Sequence, residues 1–172
     1  TMSGSPYRII AASTVPVGDE LKIESGVEVL FDADVNLFVE GAIVVNGMDG
    51  DSVRFASGAT TWKGIKITGT SMNSSFGYAV IEGTTAGAGL FLQGTGPGDS
   101  VYCSMNNSHI RFCNGGLTEG AGVTVKFAVF NGWENVRISN NSGMVGTGIY
   151  VLDGRVTLHQ AEIYSNTAIR AT

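Results

Sequence analysis

The chain has 172 residues, enough for one domain with a substantial core, and 43% are hydrophobic against 15% charged, a balance that excludes disorder. A formal net charge of −5 excludes a general nucleic-acid binder, which needs a basic excess to neutralise phosphates. No run approaches the ~18 apolar residues of a membrane span, and the opening TMSGSP lacks the order of a signal peptide.

Twenty-five glycines against three prolines, with Asn, Ser and Thr between short apolar runs, point to an all-β chain with many turns. In chain order, residues 1–20 are expected to form an N-terminal cap, with 7–17 covering the end of a domain that fills 21–172. A first series of triplets follows, each with an apolar residue on either side of a variable one. It comprises LKI at 21, LFV at 37, IKI at 65, LFL at 90, VTV at 123 and IYV at 149. The last four follow a glycine, at 64, 89, 122 and 148, expected to mark one tight turn. A second series runs out of phase with the first: VRF at 53, AVI at 79, IRF at 110, VRI at 136 and AEI at 161.

From residue 37 onward both series advance by 25 to 33 residues per step, so one period governs the chain. Alternation within a triplet marks a strand, the outer two residues facing one side and the middle one the other. Candidate third strands are AIVV at 42, SVYCSM at 100, VKFAVF at 125 and RVTLH at 155, with turns bulging at 47–51 and 94–100. No segment carries the apolar spacing of a helix of 12 or more residues. Propeller blades need ~40–50 residues per repeat, and the leucine-rich frame is missing. The expected fold is therefore a right-handed parallel β-helix of about six coils, with equivalent strands stacked about 4.8 Å apart. Asn114, Asn141 and Asn166, in the turn phrases after the second series, are expected to form a ladder between coils.

The steps IESGV at 23–27, LFVEG at 37–41 and WKGI at 62–65 resemble the opening coils of secreted β-helix repeat proteins of the pectin-lyase-like superfamily. The resemblance implies the fold over most of the chain and a secreted or cell-surface setting. It singles out no activity, because the superfamily holds polysaccharide lyases and hydrolases, phage tailspikes, adhesins and passive surface modules.

A filled core leaves the outer faces to carry function. The middle residues of the first series form one column: Lys22, Phe38, Lys66, Phe91, Thr124 and Tyr150. Aromatic faces and cations on one line suit sugar rings and acidic groups, so Lys66, Phe91, Thr124 and Tyr150 are the first candidates for a glycan strip; packing beneath a flanking loop is the alternative. The second series predicts a column of Arg54, Val80, Arg111, Arg137 and Glu162, with His109 on its turn side. Arg111 and Arg137 are candidate contacts for an acidic polysaccharide or members of a salt-bridge ladder.

Catalysis would need paired carboxyl groups, and His109, Glu134, Arg137 and Glu162 are the alternative catalytic set. The Asp clusters on adjacent coils that superfamily lyases and hydrolases display are not evident. Asp32, Asp34, Asp49 and Asp51 are calcium candidates but also ordinary turn residues, so no cofactor is expected beyond that. His109 and His159 lack a zinc spacing, and the threonines at 60, 61, 68, 70, 84 and 85 do not form the regular array of an ice-binding face. Cys103 and Cys113 read as buried thiols or as a disulfide closing a ten-residue step.

The main functional expectation is a non-catalytic secreted or cell-surface module for adhesion or carbohydrate binding, part of a larger protein or fibre. A polysaccharide-degrading enzyme, lyase, hydrolase or tailspike-like depolymerase, is the alternative, and a structural spacer the third. The partner expected is a polysaccharide or cell-surface glycan, and a further chain or a second copy is expected over the last coil, whose repeat runs on without a capping helix.

Overall fold

A computed structural model describes residues 2–58, 61–69, 72–96, 101–117 and 119–169. Their strands form three long parallel sheets that wind as a β-solenoid, with a two-stranded parallel pair of Ser142–Gly143 and Thr167–Ala168 beside them. Sheet I stacks Tyr7–Ile9, Glu28–Phe31, Val53–Ser57, Ala79–Glu82, His109–Arg111, Val136–Ser139 and Ala161–Tyr164. Sheet II stacks Ser13–Val15, Leu37–Val39, Ile65–Ile67, Leu90–Gln93, Val123–Lys126 and Ile149–Leu152. Sheet III stacks Glu20–Glu24, Ala42–Asn46, Ser74–Gly77, Val101–Asn106, Ala128–Gly132 and Arg155–Leu158. One circuit through the three sheets is a coil; six are complete, and Ala161–Tyr164 begins a seventh. Residues 7–17 supply the first strands of sheets I and II and so belong to the first coil.

Period-two alternation puts one face of every strand inside. Val29, Phe55, Ile81, Ile110 and Ile138 stack in register as one inward column of sheet I. Val39, Ile67, Leu92 and Val125 form an inward column of sheet II, and Val45, Phe76 and Met105 one of sheet III. Trp62 stacks on Phe31 with ring centroids 4.2 Å apart, and its Nε1 donates to the Glu82 carbonyl at 3.0 Å.

The repeated glycine before sheet II has a steric cause. At Gly64 φ is +92°, and a Cβ would lie 1.9 Å from the Ala88 carbonyl oxygen of the next coil. At Gly122 a Cβ would stand 2.5 Å from the Gly148 carbonyl oxygen and 2.7 Å from Ile138 Cγ2. Both approaches are closer than any side chain tolerates. One coil earlier Asn36 holds this position, and its Nδ2 donates to the Lys63 carbonyl at 3.0 Å.

The turn from sheet III to sheet I repeats as well. Tyr78, Asn107, Asn135 and Gln160 all have φ between 45° and 52°, the left-handed region that Asn tolerates best. After sheet I comes an internal ladder. Asn141, 1% exposed, accepts from the Cys113 amide at 2.9 Å through Oδ1 and donates to Asn166 Oδ1 at 2.9 Å and to the Ile110 carbonyl at 3.3 Å. Asn166 in turn donates to the Ile138 carbonyl at 2.9 Å. The ladder is therefore Cys113, Asn141 and Asn166; Asn114 stands one residue outside it and accepts from the Gly116 amide at 2.8 Å.

Three sequence expectations are corrected. LKI at 21–23 lies in sheet III, and Thr14 holds the place given to Lys22 in the sheet II column. IRF at 110–112 is two residues out of frame, because His109 aligns with Val80 and Arg137. Phe112, taken for an inward residue, is 57% exposed at φ 53° in the turn position that Gly83, Asn140 and Ser165 occupy in neighbouring coils. Ser74–Gly77 is a further strand of sheet III beyond the candidate third strands; the 47–51 turn closes through Met48 and Asp51, and 97–100 lie outside the described residues. Both cysteines are buried and free. Burial pushes the Cys103 thiol far up and the Cys113 thiol up to about 11, so both stay protonated and unreactive at neutral pH.

Candidate functional site

The outward column of sheet II reads Thr14, Phe38, Lys66, Phe91, Thr124 and Tyr150, with Lys126 in the column beside it. Strand stacking sets these side chains one coil apart. The Lys66 ammonium stands 4.9 Å from the centroid of the Phe91 ring and the Lys126 ammonium 5.8 Å from it, while Lys126 also lies 5.5 Å from the Tyr150 ring. Thr124 is not presented: it is 1% exposed, and its Oγ1 donates to the Glu119 carbonyl at 3.2 Å. The segment that covers it comes from a longer connection, ten positions from Cys113 to Val123 against six from Thr84 to Leu90.

That connection makes one wall of a groove of about 470 Å³, lined by Lys63, Lys66, Phe91, Leu117, Glu119 and Lys126. Glu119 binds Lys126 Nζ at 2.7 Å. Hydrogen bonds from Lys126 and then Tyr150 hold its carboxyl below the usual carboxylate value. Lys63 Nζ meets Asp34 at 2.9 Å. Lys66 makes no ion pair among the described residues, so the groove keeps one uncompensated cation beside an aromatic face.

Sheet I spends its charges on itself. Its outward columns place Glu28, Arg54, Val80, His109, Arg137 and Glu162 in one line and Glu82 beside Arg111 in the next. Arg54 pairs with Glu28 and, at 2.5 Å, with Glu82, which also takes Arg111 Nε at 2.7 Å. Arg137 Nε meets Glu162 at 3.1 Å. The candidate anion contacts Arg111 and Arg137 are thus rungs of a ladder, Arg111 on the carboxylate it shares with Arg54 and Arg137 on Glu162. Burial raises the Glu82 pKa, but hydrogen bonds and charge from Arg111 and Arg54 outweigh it and leave the carboxyl below its usual value.

The sign of the pH dependence follows. A carboxyl whose pKa is lower in the folded than in the unfolded chain stabilises fully above the unfolded value, and that stability is lost as pH falls through the folded one. Acid unfolding of the native chain should include this loss, and Glu82→Gln should remove it while costing about 1–2 kcal/mol at neutral pH, discounted for partial exposure. Urea titrations at pH 7 and pH 3 check this: equal losses at both pH values would contradict it.

Of the alternative catalytic residues, His109, Arg137 and Glu162 are consecutive members of one outward column of sheet I. His109 Nε2 hydrogen-bonds Ser139 Oγ at 2.8 Å. Burial first, then the charges of Arg111 and Arg137, lower its pKa and keep the ring neutral at pH 7. Glu134 stands in the turn before Val136–Ser139, at φ 39°, while Glu162 is taken by Arg137. Of the acidic turn residues, Asp32 pairs with Arg8 at 2.5 Å and Asp34 with Lys63, while Asp49 and Asp51 lie in the turn closed by Met48 and Asp51. Among the described residues no three His, Cys, Asp or Glu side chains gather as a metal-ligating group.

Comparison with protein-family models, with curated proteins and with solved structures finds no match to this chain.

Proposed function

We propose that this chain is a non-catalytic carbohydrate-binding module that takes an acidic glycan into the sheet II groove. The observation that carries the reading is the Phe91 ring with the Lys66 ammonium 4.9 Å and the Lys126 ammonium 5.8 Å from its centroid, in a groove of about 470 Å³. A sugar ring stacks its C–H face on an aromatic, and a uronate carboxylate beside it meets Lys66, which has no carboxylate of its own among the described residues. A volume of this size suits one or two sugar residues, with the rest of a polymer running along the sheet.

The assignment to the pectin-lyase-like superfamily, and with it a secreted or cell-surface setting, is part of this proposal. It is supported by the roles of the three sequence steps. Gly26 of IESGV turns at φ +70°; Gly41 of LFVEG lies where a Cβ would stand 2.1 Å from the Asp19 carbonyl oxygen; Trp62 of WKGI stacks on Phe31.

A glycan array with acidic and neutral polymers, paired with a depolymerisation assay, tests the reading. Binding is expected for acidic polymers, without cleavage and with weakening at high salt. Phe91→Ala should cost about tenfold in affinity and Lys66→Ala about fivefold, magnitudes ordinary for one stacking and one charged contact. Cleavage that Glu134→Gln or Arg137→Ala abolishes would replace the module by an enzyme; neither binding nor cleavage would leave a spacer.

A further inference from the structure

We propose a second binding site, a notch on the outer face of sheet III that takes one uncharged sugar residue and is separate from the sheet II groove. Register builds the notch. Asn46, Gly77 and Asn106 share one column on three successive coils. Ser75 and Ser104 lie side by side in the neighbouring column of the same face, as period-two alternation requires. Gly77 has no side chain, so the column is interrupted between two amides that stand two strand spacings, about 10 Å, apart. A Cβ there would lie 3.0 Å from Asn106 Oδ1 and would fill the gap.

Trp133 closes one side. It follows Gly132, the partner of Met105, and its amide donates to the Met105 carbonyl at 2.8 Å, which puts it one coil beyond Asn106. Its side chain is 48% exposed, whereas Trp62 is fully buried. Together Asn46, Ser75, Gly77, Ser104, Asn106 and Trp133 line a recess of about 140 Å³, room for one ring.

Two properties of this lining name the ligand. The first is uncommitted hydrogen-bonding capacity: among the described residues, the side chains of Asn46, Ser75, Ser104, Asn106 and Trp133 make no hydrogen bond. Their neighbours do. The buried Ser74 and Ser108 hydroxyls accept from the Ile43 and Ala79 amides, and Asn131 donates to the Tyr102 hydroxyl at 2.5 Å. The second is the lack of charge on all six lining residues, so a carboxylate would meet no cation in the recess. Amide and hydroxyl groups each offer a donor and an acceptor, as sugar hydroxyls need, and the indole face suits the C–H face of a pyranose. An exposed tryptophan beside a small concave set of polar groups is the arrangement on which binding energy concentrates.

Titration with cellotriose, maltotriose and chitotriose, all uncharged, tests the proposal through amide chemical shifts and acrylamide quenching of tryptophan emission. At least one trimer should shift the Asn46, Gly77, Asn106 and Trp133 amides, shield Trp133 from acrylamide and bind equally well at high salt. Trp133→Ala and Gly77→Ala, the second adding only a methyl group in the notch, should each weaken that binding by about tenfold. Lys66→Ala should leave it unchanged, so the notch stands or falls apart from the sheet II groove. No shift with any of the three trimers, shifts centred on Phe91 instead, or binding indifferent to Trp133→Ala and Gly77→Ala would overturn the proposal, with circular dichroism showing that each variant is folded.

Discussion

Replacing Trp62 by alanine should lower the stability of the solenoid by about 3–5 kcal/mol, the cost of emptying a large aromatic site in a close-packed core. Trp62 is fully buried, stacks on Phe31 at 4.2 Å with planes 15° apart, and donates from Nε1 to the Glu82 carbonyl. Alanine removes the stack, leaves a cavity and strands that carbonyl. Glu82 carries the Arg54 and Arg111 rungs on the outer side of the same strand, so the loss also loosens the sheet I ladder. For a domain of this length the midpoint of thermal unfolding should fall by on the order of 10 °C. Trp62→Phe keeps a ring on Phe31 and loses only the hydrogen bond and some volume, and should cost less than half as much. Urea unfolding of both variants checks the prediction; a loss under about 1 kcal/mol for Trp62→Ala would show that the stack does not hold this part of the core.

Asn141→Ala should cost about 2–4 kcal/mol, because one buried side chain serves polar groups of two neighbouring coils. The substitution leaves the Cys113 amide without an acceptor, the Ile110 carbonyl without this donor and Asn166 Oδ1 without its Asn141 Nδ2 contact, all inside the solenoid. Asn114→Ala is the control. Among the described residues that side chain accepts from the local Gly116 amide at 2.8 Å, a bond within one turn, and its loss should cost less than about 1 kcal/mol. Equal losses at the two positions, measured by urea unfolding, would contradict the ladder assigned here.

The contrast between Asn114 and Asn141 shows how far spelling carries. The period, the six coils and the inward columns are legible because a stacked core needs an apolar residue at the same place in every coil, and chain neighbours cannot supply it. The frame fails where a turn residue copies a core one. Phe112 sits at a left-handed turn position beside Arg111, whose guanidinium lies 5.5 Å from its ring, and its apolar character drew IRF two residues out of step. That same shift moved Arg111 into a column that belongs to His109 and put Asn114 where Cys113 stands. LKI fails differently: Leu21 and Ile23 do face inward, but in sheet III, since a triplet reports which side is apolar and not which sheet it joins.

The candidate site divides in the same way. Lys66, Phe91 and Tyr150 fall on one outward column, as period-two alternation and the coil length require. Thr124 does not open to solvent because the connection that follows Asn114 folds over it, and the extra residues between Cys113 and Val123 are the signal of that cover. Lys126 was hidden by its place two residues on, at the end of its strand, where alternation points it to the same face as Thr124. On sheet I the residues are legible and their use is not: guanidiniums and carboxylates pair between neighbouring coils and neutralise one another, which only the register between strands reveals.

The two faces therefore make opposite predictions about an acidic ligand, and amide chemical-shift mapping during titration with an acidic oligosaccharide separates them. Shifts centred on Lys66, Phe91, Lys126 and the neighbouring Gly87–Ala88 backbone, absent with a neutral oligosaccharide and reduced by salt, are the predicted result. No shifts, or shifts confined to Arg54, Arg111 and Arg137 on sheet I, would contradict the claim that the sheet II groove is the binding site.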